Sequence, residues 1–207
     1  MKKSYSYIGI SFVILIFGIW AVNEMGNRFS EPDLETIGTV PAFSFTDQNN
    51  KIITNKDYEG KVYVVEFFFT TCPSICPIMT ENMIKIQNEF LGNPKVGMAS
   101  FSIDPEYDTP EILKEYAKNK GITKIQWHLL TGEKEAIFKL ANEGFNLYVG
   151  EGSELDGGFE HSGFFALIDQ NGNIRSRKDE NDNPIIYYDG LDDKQIQLLK
   201  EDIKKLL

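Results

Sequence analysis

The chain predicts an α/β fold, a central mixed sheet flanked by helices with a hairpin ahead of it, and three observations carry that expectation. KVYVVEFFF (61–69) is a nearly continuous β-branched and aromatic run, the signature of a strand buried on both faces. Two more strand-like runs, VGMASFSI (96–103) and IQWHLLTG (125–132), follow it with helix-length segments between. FFALID (164–169) and NIRSR (173–177), joined by Gln170-Asn171-Gly172, read as an antiparallel hairpin.

In chain order, PAFSFTDQNNKIIT (41–54) is expected to be the leading hairpin, with Phe43 and Phe45 alternating, a turn at Asn49-Asn50, and Ile52 and Ile53 returning. After the 61–69 strand and a short loop, Ile78, Met79, Met83, Ile86 and Phe90 recur at helical spacing and predict a helix over about 77–91. Met79 and Met83, soft atoms near the cysteines, are read as core at that spacing. Thr109 is an N-cap, Pro110 the first residue and Gly121 the stop of a helix through about Lys120. Glu133–Glu143 and Asp192–Leu207 are further helices, the last with Ile196, Leu199, Ile203 and Leu206 on one face. Residues 150–160, GEGSELDGGFE, form a glycine-rich acidic loop. Strands alternating with helices, closed by a hairpin, are the element order of a thioredoxin-like fold, with the cysteines in its first βα turn.

The first residues stand apart. Lys2 and Lys3 precede an uncharged run, residues 7–22, of about 24 Å as helix against a hydrocarbon core of ~30 Å. Tyr5, Tyr7 and Trp20 suit the interfaces. A cleaved signal peptide is the rival reading, but the run lacks a good small-x-small cleavage site. The reading is an uncleaved single-pass anchor over 1–24, a tether over 25–40 and one domain over 41–207. The lysines then stay cytoplasmic, and the domain faces the periplasmic or extracellular side of a bacterial cell membrane, where thiols can oxidise. A net charge of −10 argues against nucleic acid and anionic lipid as partners of the domain. A domain of this length buries roughly 70% of its extended-chain surface, so it needs no disulfide staple.

The chemistry concentrates in FFFTTCPSICPIM (67–79), which holds both cysteines, Cys72 and Cys76. Each precedes proline, which disfavours the α conformation, so neither is expected inside the helix. Pro77 suits the first helical position, leaving Cys76 near the N-cap, where the dipole stabilises its thiolate. At this spacing the two sulfurs can form a disulfide, act as a redox pair or hold one soft ion; geometry alone leaves the three open. Of two histidines, His128 reads as packed within its strand, whereas His161 sits at a strand end, where α/β sheets build sites. Two thiolates and one imidazole suit copper, and zinc would want a fourth ligand. Glu151, Glu154, Asp156 and Glu160 near His161 read as a solvated acidic surface, and Gly150, Gly152, Gly157 and Gly158 as a source of loop freedom.

Phe69–Pro77 (FTTCPSICP), Ser102–Glu111 (SIDPEYDTPE), Trp127 with Leu130-Thr131-Gly132, and Glu160-His161-Ser162 with Leu167-Ile168-Asp169 together resemble the Sco/SenC family of copper chaperones for cytochrome c oxidase assembly. The resemblance covers about residues 41–207. It implies a membrane-anchored thioredoxin-like domain holding one copper ion, Cu(I) or Cu(II), through Cys72, Cys76 and His161. It implies delivery of copper to the binuclear copper site of an oxidase subunit, or reduction of that site's cysteines, with other copper chaperones or thiol reductants as further partners. Such a protein is a metallochaperone rather than an enzyme; the alternatives are a thiol–disulfide oxidoreductase or a redox or copper sensor using the same pair. The chain departs from the family at Ser74 and Glu160, where many members carry an acidic residue and Asp, respectively. Asp104 and Asp108 match a family signature and are expected to form a turn and cap a helix near the site.

Overall fold

A computed structural model describes residues 6–30, 34–152 and 158–207, with side chains described from residue 9 to residue 22 in the first of these stretches. Glu154, Asp156 and Gly157 lie outside the described residues, as do Lys2, Lys3 and Tyr5. The chain divides into two units, residues 1–33 and 34–207. The first is a helix, α1 (Ser6–Ser30), with nearly every apolar side chain from Ile10 to Val22 exposed. Among the described residues no helix is long and apolar enough to cross a membrane; the 14 side chains described on α1 cover about 21 Å of helix.

The second unit opens with β1 (Leu34–Thr39), then β2 (Ser44–Asp47), β3 (Ile52–Thr54), a 3-10 turn, β4 (Val62–Phe68), α2 (Cys76–Glu89), β5 (Val96–Ser102), α3 (Pro110–Lys120) and β6 (Trp127–Thr131). It continues through α4 (Lys134–Lys139), a π turn (Leu140–Gly144), β7 (Val149–Glu151), β8 (Phe159–His161), β9 (Phe164–Ile168), β10 (Asn173–Arg177), β11 (Tyr188–Asp189) and α5 (Asp193–Leu206). The main sheet runs β1-β10-β9-β4-β5-β6-β2-β3, with β11 also on β9; β4-β5 and β5-β6 are parallel and the other pairs antiparallel. β7 and β8 form a separate ladder.

This is the mixed α/β architecture expected. Every residue of β4 and β5 is buried. Phe68 meets Tyr116 of α3, while its neighbour Phe67 meets Phe145 just after the π turn. Successive strand residues point to opposite faces, so helical segments cover both sides. α3 keeps its expected punctuation: Thr109 accepts from the Ile112 amide at 3.4 Å, Pro110 leads, and Gly121 stops it at φ 73°.

Three expectations are corrected. Residues 34–39 belong to the sheet rather than to a tether: β1 pairs with β10, and the Arg175 guanidinium donates to the Leu34 carbonyl at 2.5 Å. Its partner strand, not its own weakly apolar pattern, makes it a strand. The helix expected over Glu133–Glu143 is α only to Lys139 and ends in the π turn. α2 begins at Cys76 itself, because Ile75 already has α dihedrals and its carbonyl accepts from the Met79 amide at 3.0 Å. Pro77 then occupies the second helical position, where its missing N–H is still not needed.

The hairpin turns share one device. Asp47 accepts from the amides of Asn49 and Lys51, Asp169 from those of Asn171 and Asn173, and Asp179 from those of Asn181 and Asn183. These carboxylates replace the backbone acceptors that tight turns lack. At the far end, Asp202 of α5 is wholly buried and takes donors from Arg177 at 2.7 Å and Tyr188 at 2.8 Å, tying the last helix to β10 and β11. Asp202→Ala leaves the Arg177 charge half-buried without its main partner, and is expected to lower unfolding stability by about 3–5 kcal/mol in urea titrations. A loss below roughly 1 kcal/mol would show the pair to be dispensable.

Candidate metal centre

β4 ends at Phe68, and residues 69–75 carry the chain from the sheet to α2. This loop is held from below. Asp108, wholly buried, accepts from the Thr70 amide at 3.0 Å and from the hydroxyls of Thr70 and Ser102. Its role is therefore to fix the start of the cysteine loop; Thr109 does the capping expected of it. Burial raises the Asp108 carboxyl above its usual range despite these donors. Asp104 makes the expected turn, its carbonyl accepting from the amides of Tyr107 and Asp108.

Cys72 and Cys76 are both free thiols and buried, at 8% and 1% exposure. The Cys76 amide at the helix start donates to Cys72 Sγ at 3.5 Å. This reverses the expected roles. The neighbouring Cys76 thiol, then the His161 ring and the amides of Cys76 and Ser74, pull the Cys72 thiol down to about 3 against the effect of burial. Cys76 is pushed up, first by that thiolate beside it and then by burial. The helix N-terminus thus serves the cysteine before it in the chain.

His161 is the last residue of β8, opposite Val149 of β7. It stands on a short ladder, and both ends of the loop expected over 150–160 belong to that ladder. Gly152 lets that ladder close, since a Cβ there would lie 2.7 Å from the Phe159 carbonyl carbon; close approach, not freedom, is what this glycine provides. The ladder is fixed in turn by Asn142 in the π turn, whose amide side chain accepts from the Val149 N–H at 3.1 Å and donates to its carbonyl at 2.9 Å. His161 Nδ1 lies 3.1 Å from the Ser162 carbonyl, and Nε2 lies 3.1 Å from Cys76 Sγ. A carbonyl only accepts, so Nδ1 carries a proton, and Nε2 is the ring atom turned toward the sulfurs. That is how a ligating imidazole is usually oriented.

The donor atoms of Cys72, Cys76 and His161 all lie within 4.8 Å of one another. An ion with bonds of roughly 2.0–2.3 Å holds such donors about 3.5–4.5 Å apart, so the trio fits a single ion with little movement. Two sulfurs and one nitrogen, buried and with no carboxylate among them, are a soft donor set. His128 is elsewhere, on β6, its Nδ1 3.0 Å from Asp47. Met79 and Met83 are wholly buried core. Glu151 is exposed and reaches Lys134 at 3.6 Å, and Glu160 is exposed.

Glu66 escaped the sequence reading. It lies in mid-β4, 2% exposed, and one oxygen accepts from Ser100 at 2.6 Å while the other has no partner among the described residues. Ser100 in turn accepts from the Trp127 indole at 2.9 Å. Burial pushes the Glu66 carboxyl up to about 7, partly offset by Ser100 and His161. The available signal was a single charge inside an otherwise apolar strand run.

Fold and site together define a thioredoxin-like domain with a two-cysteine, one-histidine centre. The SCO1/SenC family model matches residues 32–194, and the chain belongs to that family. The SCO1 protein homolog of Bacillus subtilis (strain 168) is 33% identical over 130 residues, 62% of this chain and 67% of that one. The chain thus spans about two thirds of that relative's length. Among solved structures, BsSco, described as a member of the Sco family of cytochrome c oxidase assembly proteins with a disulfide switch, superposes with a TM-score of 0.69 at 27% identity, covering 83% of this chain and 95% of that one. Bradyrhizobium japonicum ScoI with copper bound gives 0.62 at 26%, covering 83% and 99%.

Two outcomes test this geometry. Iodoacetamide should alkylate Cys72 at a rate nearly flat from about pH 5 to pH 8, because its thiolate persists to low pH; an ordinary thiol would lose about tenfold per unit over that range. Asn142→Ala frees β7 and hence His161, and is expected to weaken metal binding about 10–100-fold while leaving the Cys72 alkylation rate unchanged. Parallel isothermal titrations of the variant and wild type read the first effect, and equal affinities would show that Asn142 does not position the imidazole.

Proposed function

We propose that this protein is a copper-binding chaperone that carries one ion on Cys72, Cys76 and His161 and delivers it to the binuclear copper site of cytochrome c oxidase. The observation that carries the reading is the convergence of those three buried donor atoms, with Nε2 of the imidazole turned toward the sulfurs. The copper-bound relative supports the choice of metal, and family membership supports the acceptor. Cu(I) takes the two sulfurs, and Cu(II) gains from the added nitrogen. Delivery requires the domain on the side of the membrane where that copper site is exposed, with α1 as its anchor; the exposed apolar side chains from Ile10 to Val22 support that role.

A second reading, thiol–disulfide exchange with the same pair, is favoured by one specific feature. A low Cys72 and a raised Cys76 are the split that an attacking thiolate and a resolving thiol need. The disulfide switch of BsSco supports it as well.

Anaerobic titration of the reduced full chain with copper, followed by absorption and EPR spectra, separates the two. Wild type should bind one equivalent. Cys72→Ser and Cys76→Ser should lose binding, and His161→Ala should lose about 100-fold in affinity for Cu(II) and less for Cu(I). Disulfide reductase activity that survives His161→Ala, with no stoichiometric copper binding by wild type, would replace the first reading with the second.

A further inference from the structure

We propose that the cavity between the C-terminal half of α3, the β2–β3 turn and the start of β6 is a binding site for a small phosphate-type oxyanion carrying several negative charges. The site is separate from the metal centre and does not depend on it. His128 is the second residue of β6, at the opening of the parallel strands, whereas the cysteines follow the close of β4.

The cavity has a volume of about 530 Å³, and Lys51, Lys114, Lys118, Lys124, His128 and Asp47 border it. Four of the chain's 21 lysines and arginines thus surround one hollow together with one of its 31 acidic residues, although the net charge is −10. Lys114 and Lys118 stand one turn apart on α3, where like charges repel. Neither they nor Lys51 forms an ion pair among the described residues. Glu111, one turn before Lys114, is outside the lining and lies 3.4 Å from the Asn50 side chain.

Lys124 supplies a separate observation. It is the one buried lysine among the described residues, 3% exposed. Its ammonium donates to the carbonyls of Phe90 at 2.6 Å and Asn93 at 2.8 Å, and to no carboxylate. Neutral acceptors orient a buried cation but leave its charge uncompensated. The carboxylate in the lining is already engaged: Asp47 accepts from the amides of Asn49 and Lys51 and lies 3.0 Å from His128 Nδ1. The other ring nitrogen of His128, Nε2, has no hydrogen-bond partner among the described residues.

Both walls are braced. Gln87, 2% exposed, accepts from the amides of Thr123 and Lys124 and donates to the Gly121 carbonyl, which fixes residues 121–124. Gln48 accepts from the Leu129 amide and donates to the Trp127 carbonyl, which fixes the hairpin turn to β6. What remains to offer a ligand is ammonium charge in a preformed hollow. No arginine borders it. Lysines act as point charges and lack the planar fork that matches a carboxylate, so the set favours a compact tetrahedral phosphate group. Several cations spread around the hollow call for more than one such charge.

The test uses the reduced, metal-free full chain in non-ionic detergent, with pyrophosphate as probe and the histidine ring protons followed by NMR. The chain has two histidines, so each resonance reports one place. In about 50 mM salt, pyrophosphate should shift His128 saturably with a Kd below about 1 mM and leave His161 unmoved, and added salt should weaken the binding. The double variant Lys114→Gln/Lys118→Gln should bind about tenfold more weakly or worse. Lys56→Gln/Lys194→Gln removes the same charge from exposed sites elsewhere and should change the affinity less than about twofold. Citrate, a planar-carboxylate polyanion, should bind more weakly than pyrophosphate. The wild-type titration alone decides should a variant fail to fold. The proposal is overturned by a His128 resonance that stays still at about 10 mM pyrophosphate, by both histidines shifting together, by equal losses in the two double variants, or by citrate binding as tightly. None of these outcomes bears on copper binding at the metal centre.

Discussion

The contact on which the molecule turns is Cys76 Sγ against His161 Nε2, 3.1 Å apart across 85 residues of chain. Neither partner holds the other in place. Cys76 is fixed because α2 begins on it, at the end of a loop whose first turn is bound to Asp108. His161 is fixed because Asn142 clamps β7 and β7 pairs with β8. These supports approach from opposite sides. Asp108 lies just before α3, on the parallel side of the sheet, and Asn142 lies in a π turn, an element often found where geometry matters more than regularity. The centre is therefore an intersection of two scaffolds, each with its own hydrogen bonds.

That intersection is also where the fold concentrates unfavourable charge. The Cys72 thiolate, Glu66 and Asp108 all lie at or below 8% exposure in one region of a chain that is already strongly acidic. Three buried anions without a buried cation would repel one another at low effective dielectric. The structure resolves this by unequal treatment. Asp108 receives three donors, Cys72 receives backbone and thiol donors, and Glu66 receives one donor and an apolar surround. The raised Cys76 follows from the same rule, since a second thiolate beside the first is the most costly anion of all. A soft cation relieves the thiol repulsion directly, which gives the empty centre an affinity beyond that of its ligand bonds.

Much of this was legible along the chain. Strand runs, helical spacings and capping residues marked the helices of the second unit and the strands β2 to β6, β9 and β10, but not β1, β7, β8 or β11, and the two cysteines with one late histidine marked the centre. What the chain hid were effects supplied by distant partners. Leu34–Thr39 is a strand only because β10 offers it an edge. The split between the two thiols depends on which sulfur the Cys76 amide reaches, a matter of Ångströms rather than of motif. Asn142 is one more polar residue late in a helical segment until its side chain is seen against Val149. Glu66 passed unremarked, because a single charge does not interrupt a hydrophobic run by pattern alone.

The two chemistries open to the centre exclude each other, and this sets the order of events. A disulfide places its sulfurs about 2.05 Å apart and spends both thiolates on one bond. A metal ion needs the same thiolates spread to roughly twice that separation. On the proposed reading His161 would contribute only to the second state, adding to metal affinity and nothing to the disulfide. On that reading any partner that returned the pair to the dithiol form would also create the metal site, and any oxidant that closed the disulfide would expel the ion. Loading and redox state would in this way be one equilibrium, written on two sulfurs and read by one imidazole.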